Sequence, residues 1–138
     1  MTNGSLAKAY LQKATARVDV LELLCGKQAW SDVVRESQEI VELALKGMLR
    51  YVGVEPPKWH DVGEILREHR DKFPAAFAGR IDAFAEWSAI LRERRELSLY
   101  GNESTGQDAD DLYGRPEAEE ALEWAREIVA AVKVVQPG

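Results

Sequence analysis

Apolar residues recur every three or four positions through most of this chain, which places them on one face of successive helices. From Leu6 to Cys25 the series Ala7, Tyr10, Leu11, Ala14, Val18, Leu21 and Cys25 predicts a first helix, stopped by Gly26. A second runs from Lys27 or Gln28 to Tyr51, with Trp30, Val34, Val41, Ala44, Leu45, Met48 and Val52 on its inner stripe. Gly53 and the pair Pro56-Pro57 break it, and Val54 to Trp59 reads as a loop. Val62, Ile65, Leu66 and His69 then form the inner face of a short third helix with Asp61 near its start. Phe73-Pro74 closes that helix or opens the next. The fourth, Pro74 to Leu99, turns Phe77, Ile81, Phe84, Trp87, Ser88 and Leu91 inward, and Gly101 ends it.

From Asn102 to Arg115 the chain is polar and acidic, without periodicity, and a loop this long is usually functional or mobile. Pro116 suits the first turn of a last helix, whose core face is Ala118, Ala121, Leu122, Ala125, Ile128, Val129 and Val132. The tail Gln136-Pro137-Gly138 is expected to fray. Five helices and no strand-like alternation predict an all-α fold, an antiparallel four-helix bundle with a short accessory helix. No repeat or linker divides residues 1–138, so a single domain is expected.

Composition then removes function classes. The chain is 46% hydrophobic and 30% charged, enough apolar material for one core without staples. Cys25 is its only cysteine, so neither a disulfide framework nor a cysteine-based zinc site is available. His60 and His69 have no ligating neighbours at metal spacing, and neither a metal nor another cofactor is expected. No apolar run suits a signal peptide or a membrane span, so a cytoplasmic chain with no membrane contact is expected. A net charge of −6 argues against a diffuse grip on nucleic acid, so any such contact must be local.

The local candidate is the arginine-rich end of the fourth helix. At about 100° per residue, with Leu91 at zero, Ser88 falls near 60° and Arg95 near 40°, in the middle of the apolar stripe. A buried charge needs a partner, so Arg95 either snorkels, pairs with a glutamate of helix two, or binds an anion. Arg92 and Arg94 flank the stripe, and Tyr100 lies at the helix end. Ser37 and Gln38 likewise interrupt the stripe of helix two, and Glu42 at its edge forms an i,i+4 pair with Lys46. If helices two and four are neighbours, Ser37, Gln38 and Glu42 are partners for Arg95. Leu43, Ile40 and Trp124 lie off their stripes and suggest a wide core or a self-association face, the latter favouring a homodimer. Trp59-His60-Asp61 is read as a capping arrangement rather than a catalytic one.

Arg35-x-x-Gln38-x-x-x-Glu42-x-x-x-Lys46, then His60-Asp61, then Ser88-x-x-Leu91 and the run from Arg95 to Tyr100-Gly101 together resemble prokaryotic HEPN-domain proteins, over about Tyr10 to Val132. The resemblance implies a homodimeric helical bundle of a toxin–antitoxin or defence-type module, often paired with a minimal nucleotidyltransferase. It also implies contact with RNA or a nucleotide. Many members are metal-independent endoribonucleases whose arginine is followed four to six residues later by a histidine, the first stabilising phosphorane charge and the second moving the 2′-hydroxyl proton. Arg95 matches that arginine, but Glu96 to Gly101 contain no histidine, and Tyr100 stands in its place. A tyrosine titrates near pH 10 and is a poor general base at neutral pH, so the ribonuclease motif reads as degenerate. Tyr100 also resembles the tyrosine that serves as nucleotide acceptor in some paired toxins. Three readings follow: a module that binds a nucleotidyltransferase, RNA or a nucleotide; an active endoribonuclease using Arg95; or a nucleotide sensor lidded by the acidic loop.

Overall fold

The computed structural model describes residues 3–58 and 61–136. Within them the chain is helical: α1 Asn3–Gly26, α2 Trp30–Tyr51, α3 Val62–Glu68, α4 Ala75–Ala78, α5 Ile81–Tyr100, α6 Ala109–Leu112 and α7 Arg115–Val135, with a 3-10 turn at Arg70–Lys72. The expected five helices become seven among the described residues. The all-α class stands, while the bundle of four plus one does not describe the whole chain.

Both additions have physical causes. The fourth expected helix is interrupted after Ala78, where the Arg70 guanidinium donates to the Ala78 carbonyl at 2.9 Å and takes the place of the next helical N–H. The Arg80 N–H turns back to Phe77 at 2.9 Å, and the Asp82 carboxylate holds Arg70 at 2.6 Å and Arg67 at 3.2 Å. This break lets Phe73, Phe77, Phe84 and Trp87 pack as a chain of rings with centroids 5.2 to 5.6 Å apart. The acidic loop is likewise not structureless. The Asp108 side chain accepts from the Asp111 N–H and caps α6, and Ser31 on α2 donates to Asp110 at 2.8 Å. Gly101, at φ +73, starts the loop where a Cβ would collide with the Gln107 carbonyl.

α2 is the axis of the fold, packing against α1, α5 and α7. Its buried residues run nearly all round it, Val33, Val34, Ile40, Val41, Ala44, Leu45, Met48 and Leu49 among them. Ile40 is therefore core, Leu43 packs against it, and Trp124 stacks on Trp87 at 5.5 Å with the rings 6° apart. Of the residues that suggested a self-association face, Ile40 is fully covered within one chain and Leu43 and Trp124 are partly buried. The core face expected for the last helix is buried residue for residue. Asp61 caps α3 by accepting the Gly63 N–H at 3.0 Å, whereas Trp59, His60, Pro137 and Gly138 lie outside the described residues. No described helix is long and apolar enough to cross a membrane.

Candidate functional site

The last three turns of α5 carry Arg92, Arg95, Glu96, Leu99 and Tyr100 at three- and four-residue spacing, hence along one side. With Gln38 and Glu42 of α2 they line a cleft of about 610 Å³. α2 and α5 are neighbours, as the expected pairing of their polar residues requires.

Arg95 is not in the buried stripe. Its side chain is 45% exposed, because past Leu91 the packed side of α5 rotates toward Leu97 and Ser98, where the chain around α6 covers the helix. Tyr113 is buried there and donates to the Arg94 carbonyl at 3.3 Å, and burial raises its phenol above the ordinary value. Nor is Arg95 held by Ser37, Gln38 or Glu42. Its Nη2 meets the Glu39 carboxylate at 3.4 Å, one turn before Glu42. The same carboxylate also takes Arg17 at 3.5 Å and Arg35 at 3.4 Å, while Glu36 takes Arg17 and Arg35 at 3.7 Å each. Three guanidiniums thus share two carboxylates. Glu36, 8% exposed, is held above the usual carboxylate range first by burial and then by the neighbouring Glu39 charge.

Arg92 reaches Asp61 only at 3.9 Å, and that same Oδ1 already caps α3. Arg94 points away from the cleft and pairs with Glu120 of α7 at 3.2 Å, so the expected trio of arginines reduces to Arg92 and Arg95. Ser88 is buried and does not line the cleft; Ser37 is buried with its hydroxyl unpaired. Gln38 does line it. The residue is 4% exposed, its amide nitrogen donates to Glu42 at 3.5 Å, and its amide oxygen has no partner. Glu42 also holds Lys46 at 3.6 Å, the pair the helical spacing indicates. Tyr100 stands at the lip, 71% exposed, beside Leu99.

A family model of the HEPN domain matches residues 7–135. The chain belongs to the HEPN family. No curated protein and no solved structure matches it. Among the described residues of this HEPN domain no histidine lines the cleft, and no group of three or more His, Cys, Asp or Glu is placed to hold a metal ion. The cleft instead combines two cationic donors, two carboxylates, a buried unpaired amide oxygen and an exposed aromatic ring.

Glu39 and Arg17 were not singled out by the periodicity, since each occupies an ordinary polar position on an amphipathic helix. Glu39 had one signal, its i,i+4 spacing from Arg35. Arg17 had none, because its role depends on how α1 lies against α2.

Proposed function

We propose that this HEPN domain is a binding module of a toxin–antitoxin or defence-type system that holds RNA or a nucleotide in the α2–α5 cleft without cleaving it. One arrangement carries the reading: Arg92 and Arg95 of α5 line one cleft with Gln38 of α2, whose buried amide oxygen is unpaired. Arginines loosely held by shared carboxylates are free to take a phosphate through charge-assisted hydrogen bonds. The Gln38 oxygen and the carboxylates accept from hydroxyl or amine groups, which a ribonucleotide offers and a bare anion does not. Tyr100 supplies an exposed face on which a base stacks. No histidine follows Arg95 at the family's spacing, and none among the described residues lines the cleft, which favours retention of the ligand over its cleavage.

The family resemblance supports two further parts of the reading, a homodimer and a nucleotidyltransferase partner, with Tyr100 as the exposed acceptor of a transferred nucleotide. Fluorescence anisotropy with a labelled single-stranded RNA and its DNA equivalent tests the core of it. RNA is expected to bind more tightly than DNA, and Arg95→Ala to weaken RNA binding by about tenfold, with the probe intact afterwards. Cleavage that disappears in Arg95→Ala would instead make the protein an endoribonuclease, and absence of binding to RNA and mononucleotides would remove the reading. Light scattering on the chain alone and after co-expression with a minimal nucleotidyltransferase tests the assembly.

A further inference from the structure

A second recess lies on the opposite helix pair. Arg126 of α7 pairs with Glu22 of α1, while Lys133 and Gln136 line a space together with Gly4, Lys8, Leu11, Gln12, Thr15, Ala16 and Asp19, so α1 and α7 run antiparallel with a groove between them. This groove encloses about 940 Å³, within the roughly 300–1,000 Å³ range of small-molecule sites. It is elongated: Gly4 to Asp19 spans about 22 Å of helix at 1.5 Å per residue. A smaller recess of about 260 Å³ continues it past Thr15, Asp19 and Lys133 toward Val129 and Arg126.

Its chemistry is uneven in an informative way. Leu11, Ala16 and the ring of Tyr51 make apolar wall. Gln136 is 7% exposed, yet its amide nitrogen, a donor, has no acceptor among the described residues. A buried orphan donor costs about 1–3 kcal/mol, and its place beside an open groove leaves it available to an acceptor bound there. Lys8 and Lys133 add two cations, and neither makes an ion pair with a described residue. Among the described residues Asp19 is the one carboxylate on the wall, and like Lys133 it sits where the two recesses meet, away from Gly4 and Lys8. The anion-accepting end is therefore the one with Lys8 and Gln136.

We propose that the α1–α7 groove binds a single-chain amphiphile with an anionic headgroup, the headgroup accepting from Gln136 and attracted by Lys8, and the acyl chain lying along Leu11 and Ala16. An extended acyl chain suits a groove that runs along α1 from Gly4 to Asp19. Carboxylate and phosphate headgroups share the required chemistry.

Calorimetric titration of the full chain with dodecanoate, dodecyl phosphate, dodecanol and dodecyltrimethylammonium, all below their micellar concentrations, separates these. The expected result is saturable one-to-one binding of one or both anions and at least tenfold weaker binding of the neutral and cationic chains. A preference for carboxylate assigns the site to free fatty acids, and a preference for phosphate to lipid phosphates. Gln136→Leu and Lys8→Glu, each confirmed as folded by circular dichroism, are each expected to weaken anion binding by at least tenfold. The proposal fails if neither anion saturates, if the cationic chain binds equally, or if both variants bind as the parent does. It also fails if Gln136→Leu alters the oligomeric state of the ligand-free protein, since the groove then accommodates a second copy.

Discussion

α2 and the C-terminal half of α5 are both helical, both rich in charge, and adjacent, yet their side chains do opposite things. α2 buries residues on almost every side because it has α1, α5 and α7 around it. Past Leu91, α5 loses that enclosure and keeps Arg92, Arg95, Leu99 and Tyr100 exposed at a cleft. A charged residue therefore carries different meaning on the two helices. Glu36 on α2 is strained toward neutrality by burial, whereas Arg95 on α5 stands exposed to water. Stability and the proposed ligand binding are thereby divided between neighbours that meet at Glu39.

The comparison is sharpest where α5 passes from one regime to the other. Phe84, fully buried between Phe77 and Trp87, is expected to cost about 3–5 kcal/mol as Phe84→Ala in urea unfolding. Leu99→Ala, near the exposed end, is expected to change stability by less than about 0.5 kcal/mol. Near-equal losses at the two sites would show that the helix is uniformly packed. Gly63→Ala comes next, because a Cβ there falls 2.8 Å from the Ala85 Cβ and forces α3 off α5, an overpacking cost of about 1–3 kcal/mol readable as a lowered melting temperature.

For binding, Arg95→Ala is expected to lose about 1.4 kcal/mol of RNA affinity, the equivalent of tenfold, with stability changed by less than about 1 kcal/mol. Arg94→Ala should leave affinity unchanged and lose only its exposed pair with Glu120, about 0.2–1 kcal/mol. An equal effect of the two arginines on binding would mean that the cleft does not define the site.

The smallest effect is that of pH on Glu36. Its carboxyl is held above its ordinary 4.5, so the folded chain binds the proton more tightly than the unfolded one. This group favours folding at low pH and opposes it increasingly as pH rises through the folded value. Glu36→Gln is accordingly expected to raise stability slightly at pH 7, a gain that vanishes below pH 4.5. A loss at pH 7 would show that the Arg17 and Arg35 pairs outweigh burial.

Periodicity by itself determined the all-α class and the core face of the last helix, because a 3.6-residue repeat is a local property of the chain, and short motifs in order carried the resemblance to the family. The repeat identified Arg95, Ser37 and Gln38 as interruptions of their stripes, with Glu42 at the edge. Only the tertiary structure decided what those residues do. A helical wheel assumes one buried direction along a whole helix, but burial follows the neighbours, and beyond Leu91 the buried position of α5 is Ser98, near the carbonyl of Arg94 that Tyr113 reaches. That change moved Arg95 out to solvent, turned Arg94 toward α7 and joined Arg95 to Glu39, a residue the stripe had hidden among ordinary surface charges. The break after Ala78 was also beyond local pattern, since it rests on Arg70 reaching a carbonyl eight residues away. Such contacts depend on side chains brought together by the fold, and no spacing along one helix records them.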